Sequence, residues 1–222
     1  MCKVLGNART LIFDCDGVVL DSNRLKTEAF YTAARPYGDA AARALVEYHV
    51  SNGGVSRYIK FAHFLKYILP ECPGAETGPD LEGLLSVYSD TVRTGLMTCP
   101  VADRLEELRA ATQKACWMMV SGGDQSELRE VFAARNIDGY FDGGIFGSPE
   151  TKNEIIARET EAGTIRRPAV FLGDSRLDYE VARWAELDFV FVEGWSEWQE
   201  GARMASEGRF AMVRTLPEFL EV

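Results

Sequence analysis

The sequence predicts an α/β protein in which a Rossmann-like core of parallel strands carries helices on both faces, together with an inserted all-helical cap domain. Four short apolar runs end at polar residues or glycines, a pattern typical of strands that are buried on both faces. Amphipathic segments separate the later runs, and strands that alternate with helices form parallel sheets. Residues 22–96 interrupt the alternation with helical patterns alone.

The four apolar runs comprise residues 10–13, 115–120, 168–172 and 189–192. Asp14 follows the first run, Ser121 follows the second, and Gly173 and Asp174 follow the third. Open parallel sheets bind their ligands at the carboxyl ends of the strands. We therefore expect Asp14, Ser121 and Asp174 to meet in one crevice.

The helical patterns form two groups. Those between the later strands cover residues 101–111, 125–135, 152–162 and 176–187, and those after the first strand cover residues 23–34, 39–50, 57–69 and 81–94. We call residues 22–96 the helical insertion and predict that it forms the cap domain. Residues 1–21 and 97–222 then form the α/β core, and the Pro- and Gly-rich segment 70–79 is a loop inside the insertion.

Composition limits the classes of partner. The 222-residue chain has a net charge of −10 and a sequence pI near 4.8, which argues against nucleic acid and anionic membranes as partners. Its five cysteines show no paired metal-ligand spacing. The N-terminus does not read as a signal segment, and no apolar run approaches the roughly 18 residues that a membrane span needs. We expect a reduced, cytoplasmic protein that is a monomer or a homodimer.

Two aspartates one residue apart, Asp14 and Asp16, end the first strand and precede Gly17. Residues two apart at a strand end can face the same side, and neighbouring carboxylates need a cation between them. Hard oxygen ligands of this kind suit Mg²⁺. The alternative is a strand that simply runs into an Asp-Gly turn.

Four ordered motifs resemble those of the haloacid dehalogenase superfamily. They are an aspartate pair followed by glycine, a hydroxyl residue after a later strand, a distant lysine, and a Gly-Asp-x-x-x-Asp segment. In this chain they comprise Asp14, Asp16 and Gly17, then Ser121, then Lys152, then Gly173, Asp174 and Asp178. The chain is most similar to the group of phosphoglycolate phosphatases and β-phosphoglucomutases with a helical cap.

The resemblance implies a Mg²⁺-dependent phosphatase that forms an aspartyl-phosphate. Asp14 would be the nucleophile and a metal ligand, and Asp174 would complete the metal site. Asp16 would protonate the leaving alkoxide and then activate water, while its backbone carbonyl binds Mg²⁺. Asp178 would not contact the metal or the substrate itself, but would orient metal-bound water or Lys152.

Ser121, with the backbone N–H groups of Gly122 and Gly123, would hold phosphate oxygens. The alternative is a tight turn before a helix capped by Asp124, and both interpretations can hold together. Lys152 would neutralise Asp14 and the phosphate.

Two helix-capping patterns overlap these motifs. Thr151 and Glu154 form a capping-box pattern that places Lys152 in a first helical turn, where the helix dipole disfavours a cation. Ser175 and Asp178 form a second such pattern, so helix capping alone could explain Asp178.

The helical insertion is expected to select the substrate. The segment around Arg57 resembles the cap segment of β-phosphoglucomutase-like proteins, in which an arginine contacts substrate phosphate, and Lys60 follows one turn later on the same side. The alternative is that Ser56 caps a helix while Arg57 points to water. His49 and His63 are interpreted as ordinary helical residues.

The expected partner is a small phosphorylated substrate, of which a sugar phosphate is one example. Retention of Asp16 argues against haloacid dehalogenation. A phosphomutase, with Arg57 and Lys60 gripping a second phosphate, remains an alternative, as does a non-catalytic binding member of the fold. Trp195 and Trp198 are predicted to pack against a neighbouring helix, and Cys15 to lie in the core.

Overall fold

Six parallel strands form one sheet in the computed structural model, which describes residues 5–221. The order across the sheet is β3-β2-β1-β4-β5-β6, so that β1 lies between β2 and β4, where the strand order reverses. The strands are β1 (Thr10–Phe13), β2 (Cys116–Asp124), β3 (Ile145–Ser148), β4 (Ala169–Gly173), β5 (Asp188–Val192) and β6 (Ala211–Val213).

The two faces of the sheet are covered by different helices of the core. The core helices are α5 (Leu105–Ala111), α6 (Gln125–Ala134), α7 (Lys152–Glu161), α8 (Arg176–Trp184) and α9 (Gly201–Ser206). Leu11 and Phe13 of β1 pack in one apolar cluster with α5 and α6, whereas Ile12 packs in another with α7 and α8. This alternation confirms the predicted parallel α/β fold with helices on both faces.

The helical insertion contains only helices and loops, and all of its residues are described. Its α-helices are α1 (Asn23–Ala34), α2 (Asp39–Ser51), α3 (Arg57–His63) and α4 (Leu81–Leu96). Short 3₁₀ turns at Arg35–Tyr37 and Leu69–Glu71 and a π-helical segment at Phe64–Ile68 join them. Phe30, Phe61 and Tyr88 pack their rings together where α1, α3 and α4 meet.

Several predicted helices are shorter in the structure, for identifiable reasons. The pattern over 57–69 divides into α3, the π-helical segment and a 3₁₀ turn that contains Pro70. The pattern over 101–111 starts at Leu105, because Val101 pairs with Leu20 and Arg104 has a φ of 53°. The pattern over 176–187 ends at Trp184, since Glu186 has a φ of 54°.

Three elements were not predicted. Strand β3 has only two consecutive apolar residues before a glycine and a serine, β6 has three residues in all, and α9 has six. In addition, β2 continues to Asp124 through a shift of register against β3, whereas the sequence predicts a turn after residue 120.

Within residues 5–221, no helix is both long enough and apolar enough to cross a membrane. Cys15 is fully buried in the apolar cluster beside β1, as predicted. The described cysteines Cys15, Cys72, Cys99 and Cys116 are free thiols. Cys2 lies outside the described residues.

Candidate active site

One cavity of about 500 Å³ lies at the carboxyl ends of the central strands, between the core and the helical insertion. Core residues on its wall include Asp14, Asp16, Gly122, Gly123 and Asp174. The insertion contributes His49, Arg57 and Lys60 among others. The cavity therefore brings together most of the residues that the sequence singled out.

Asp14 continues the line of β1 into the cavity, and its N–H donates to the carbonyl of Leu172 on β4. Its Oδ1 accepts from the N–H of Cys15 at 2.8 Å and lies 2.9 Å from Lys152 Nζ. Oδ2 meets no hydrogen-bond donor among residues 5–221, so it is the oxygen left for a ligand. Burial raises the pKa of Asp14 to about 7, although Lys152 opposes the shift.

Lys152 lies behind Asp14, away from the cavity wall, and is 3% exposed. Its Nζ donates to Asp178 Oδ1 at 2.5 Å while also contacting Asp14. Burial alone would lower the pKa of Lys152, but these two carboxylates raise it above its usual range. The capping box of Thr151 and Glu154 is present, as predicted, and it sets Lys152 in the first turn of α7.

Asp14, Asp174 and Asp178 form a buried cluster whose carboxylate oxygens lie within 4.8 Å of one another. Both oxygens of Asp178 already accept hydrogen bonds, from Lys152 and from Ser175. Asp174 accepts from Asn23 Nδ2 through Oδ2 only, at 2.7 Å. Asp14 and Asp174 are therefore the two members with a free oxygen.

The donor set of this cluster fits Mg²⁺. It offers hard carboxylate oxygens, and Mg²⁺ prefers one or two of these together with water and phosphate oxygens. Burial, and then the charges of Asp14 and Asp178, raise the pKa of Asp174 well above its usual range. A divalent cation would relieve this accumulation of negative charge.

Asp16 turns away from the acidic cluster. Its Oδ1 accepts from Ser22 Oγ at 2.6 Å, and its Oδ2 lies 2.5 Å from Lys26 Nζ. Burial would raise the pKa of Asp16, but Lys26 and Ser22 lower it below its usual value. The side chain is thus held as a carboxylate by the start of the insertion.

Gly17 makes the close approach between the first motif and Asp174 possible. It has a φ of 73°, and a β-carbon on it would overlap both Asp174 Oδ2 and the side chain of Asn23. Only glycine combines this backbone conformation with the space available.

Ser121 is fully buried, and its Oγ accepts from the N–H of Gly123 at 3.0 Å. Gly122 and Gly123, rather than the serine side chain, line the cavity. Asp124 caps α6 by accepting from the N–H of Glu127, as the sequence predicted.

Gly122 is also a point at which the core backbone closely approaches the insertion. A β-carbon on Gly122 would overlap the carbonyl oxygen of Gly54, so the two backbones touch directly. Gly54 in turn lies over Ser175 and Leu177 of the core. The loop at residues 52–54 therefore rests on the strand ends.

Arg57 does not point to water, because its side chain is 8% exposed. Its NH1 donates to both carboxylate oxygens of Glu127 at 3.2 and 3.0 Å, and its NH2 lies 3.8 Å from Asp124. Its Nε has no partner among the described residues. Ser56 caps α3, so the capping part of the alternative interpretation holds even though Arg57 does not point to water.

Lys60 is 1% exposed and makes no ion pair with a carboxylate in residues 5–221. Its Nζ lies 2.7 Å from His49 Nδ1 and 3.4 Å from the His49 carbonyl oxygen. His49, interpreted from sequence as an ordinary helical residue, therefore takes part in a buried polar pair. His49 Nε2 lies 3.1 Å from Thr27 Oγ1, which donates to Glu197 Oε1 at 3.2 Å.

Trp198 packs against the rings of Tyr179, Phe191 and Phe210, in line with the predicted packing role. Trp195 packs against the other apolar cluster, and its carbonyl accepts from Asn23 Nδ2 at 2.8 Å. The segment that carries both tryptophans thus borders the cavity.

Sequence reasoning missed Ser22, Asn23 and Lys26, which hold Asp16 and Asp174. A signal was present, because Ser22 immediately precedes α1 and Lys26, four residues later, lies on the same side of its first turn. Whether this side of α1 contacts Asp16 depends on how the insertion packs against the sheet. No local sequence pattern predicts that packing.

A family model of the haloacid dehalogenase-like hydrolases matches residues 8–186. Among solved structures, a predicted phosphoglycolate phosphatase from Haemophilus somnus 129PT aligns with a TM-score of 0.75 at 15% identity, covering 96% of this chain and 97% of that chain. A predicted phosphatase from Clostridium acetobutylicum aligns at 0.68 and 16%, covering 97% and 99%. A candidate β-phosphoglucomutase from Thermotoga maritima aligns at 0.64 and 19%, covering 96% and 97%. No curated protein matches the sequence significantly.

Proposed function

The chain belongs to the haloacid dehalogenase-like hydrolase family, and from that membership we propose that it is a Mg²⁺-dependent phosphatase of a small phosphomonoester. One observation carries the proposal. Asp14, at the end of the central strand, keeps one carboxylate oxygen free toward the cavity while Lys152 holds the other at 2.9 Å. A fixed carboxylate beside a buried cation is what an aspartyl-phosphate mechanism needs.

In the first step, Asp14 Oδ2 attacks the phosphorus of the ester. The bond from phosphorus to the ester oxygen breaks, and the alcohol leaves with a proton delivered by Asp16. The Lys152 ammonium stabilises the negative charge on Asp14 and on the phosphoryl oxygens. The Gly122 N–H, next to Ser121, holds the phosphoryl group, and the Gly123 N–H joins it by exchanging its hydrogen bond to Ser121 Oγ for one to a phosphoryl oxygen.

In the second step, Asp16 takes a proton from water, and the resulting hydroxide attacks phosphorus. The bond to Asp14 breaks and inorganic phosphate is released. The contact with Lys26 favours the ionised form of Asp16, which suits this step and opposes the proton delivery of the first. Esters with good leaving groups, which need little protonation, should therefore react more readily.

Asp14 and Asp174, together with the Asp16 carbonyl, would hold Mg²⁺, and Asp178 would keep Lys152 in place. When bound, the ion supplies positive charge that neutralises the acidic cluster and the phosphoryl oxygens. The helical insertion serves as a cap over the cavity, with residues 1–21 and 97–222 as the catalytic core. The free thiol of buried Cys15 takes no part.

The decisive test is phosphate release from p-nitrophenyl phosphate with and without Mg²⁺. We expect steady, Mg²⁺-dependent release that Asp14→Asn abolishes. Asp90→Asn, at an exposed position on α4, should retain full activity. If circular dichroism shows that the wild type and Asp14→Asn are both folded, and the wild type hydrolyses no ester in a broad panel of phosphate esters, the proposal that the chain is a phosphatase is refuted.

A phosphomutase is the second candidate, because Lys60 places a cation without a carboxylate partner on the same cavity wall. Arg57, the other group expected to grip a second phosphate, is already paired with Glu127, which counts against it. The fate of the phosphoryl group separates the two. Isomerised sugar phosphate that forms faster than free phosphate would favour the mutase.

A further inference from the structure

The cations on the cavity wall are not equivalent. Lys26 pairs with Asp16, Arg57 pairs with Glu127, and Arg176 pairs with Glu200. Lys60 lies on the same wall and has no carboxylate within ion-pair distance among residues 5–221. Among these basic side chains, Lys60 is therefore the one without a carboxylate partner in the described residues.

The contacts of Lys60 make it a directional donor. Where its Nζ donates to His49 Nδ1, the imidazole carries its proton on Nε2 and donates to Thr27 Oγ1. The Thr27 hydroxyl then donates to Glu197. This chain of four side chains joins three helices of the insertion to the core segment that borders the cavity.

The surroundings of Lys60 decide its charge. Burial, together with the charges of Lys26 and Lys152, lowers the pKa of Lys60 to about 7, although Asp16 and Glu197 oppose the shift. Burial and the charge of Lys60 also lower the pKa of His49. The Phe30 ring, 5.4 Å from Nζ, adds an apolar wall. An anionic ligand bound to Lys60 would therefore stabilise its ammonium form.

We propose that Lys60, supported by His49, binds a second anionic group of the substrate while its phosphate ester occupies the Asp14 end of the cavity. The inference rests on the proposed function and narrows its substrate class. The substrate is a small phosphate ester that also carries a carboxylate or a second phosphate. A cavity of about 500 Å³ accommodates a molecule of this size.

Binding of the second anion is coupled to uptake of a proton, because the anion stabilises the ammonium form of Lys60. Affinity for a doubly anionic substrate therefore falls as pH rises above neutrality. Affinity for a substrate with one phosphate and an uncharged tail lacks this dependence on Lys60.

The test compares kcat/KM for three matched esters: 2-phosphoglycolate, its carboxamide, and a two-carbon bisphosphate. We expect kcat/KM of the wild type for either 2-phosphoglycolate or the bisphosphate to exceed that for the carboxamide at least tenfold. The preferred ester then shows whether Lys60 binds a carboxylate or a second phosphate. Lys60→Met should lower kcat/KM for the charged ester at least tenfold more than for the carboxamide. Lys66→Met, on the exposed side of the following segment, should leave the preference intact.

Equal loss on charged and uncharged esters in Lys60→Met, or no preference in the wild type, would overturn the inference. Binding of non-hydrolysable phosphonoacetate and methylphosphonate, measured by calorimetry, keeps it separate from the proposed function. If no ester is hydrolysed, a Lys60-dependent preference for phosphonoacetate still supports the anion site. Repeating the titration in two buffers of different ionisation enthalpy should show proton uptake with phosphonoacetate in the wild type alone.

Discussion

Two buried lysines, one in the core and one in the helical insertion, differ in the charges that surround them. Lys152 has two carboxylates, at 2.9 and 2.5 Å, and its pKa is raised. Lys60 has a histidine as its nearest partner, and its pKa is lowered to about 7. Both are almost fully buried, so burial alone does not decide whether a lysine stays charged.

The difference separates two uses of a buried amine. Lys152 is a permanent cation that the fold supplies to the reaction whether or not substrate is present. Lys60 is a conditional cation, which becomes fully charged when an anion arrives. On the proposed function, the core would provide the chemistry, and the insertion would provide a group that responds to the substrate.

The largest effect is expected from Lys152→Met, which removes the permanent cation. Asp14 and Asp178 are left buried and unpaired, so we expect a loss of about 3–5 kcal/mol in the free energy of unfolding. Phosphatase activity should fall by about 10³-fold. Urea titration and phosphate release measure the two, with Lys114→Met as an exposed control. A variant that stays stable and active would remove the distinction between the two lysines.

Lys60→Met should have the opposite effect on stability. Between pH 7 and 10.5 the unfolded chain binds a proton that the folded chain does not, so this group makes stability rise with pH across that window. The variant should gain about 1–3 kcal/mol at pH 7. It should also lose that part of the pH slope, measured as the difference from wild type in urea titrations. A destabilised variant would show that Lys60 is satisfied without a ligand.

Lys26→Met tests a third lysine, which resembles Lys152 in having a carboxylate partner. Its removal raises the pKa of Asp16, which favours proton delivery to the leaving group. We expect the rate on an alkyl phosphate, relative to p-nitrophenyl phosphate, to rise about tenfold. The acidic limb of the pH–rate profile should also shift to higher pH, because the pKa of Asp16 is raised. Lys26→Arg, which keeps the charge, is the matched control, and an unchanged ratio would contradict the role given to Lys26.

The smallest effect is expected at the rim of the cavity, where Arg176 pairs with Glu200. Both side chains are about half exposed, at 56% and 48%, so water screens the pair. Glu200→Gln should change the free energy of unfolding by less than about 0.5 kcal/mol. A larger change in urea titration would mean that exposed charges matter here as much as buried ones.

Much of the fold could be predicted because β1, β2, β4 and β5 each contain a short, mostly apolar run. Residues 10–13 match β1, and the start of α1 at Asn23 and of α7 at Lys152 follow local patterns. Strand β3 has only two consecutive apolar residues and β6 has three residues in all, so neither carries such a pattern, and both depend on pairing with β2 and β5.

The candidate site divides in the same way. Asp14 and Asp174 were placed correctly at one crevice because parallel strands end at one edge of the sheet. Lys26, Asn23 and His49 could not be predicted as site residues, since their contacts join residues that are 10 to 151 positions apart in the sequence. Arg57 forms an ion pair with Glu127 of α6, which no sequence pattern in α3 predicts.

The meeting of Gly122 with Gly54 joins core to insertion through backbone atoms alone. Its geometry does not depend on which side chains the insertion carries. Residues such as Lys60 can therefore be exchanged for others while the two parts still fit together. On the proposed function, substrate preference can change through insertion residues that only line the cavity, whereas Ser22, Asn23 and Lys26 contact Asp16 and Asp174 and have to be kept together with the core.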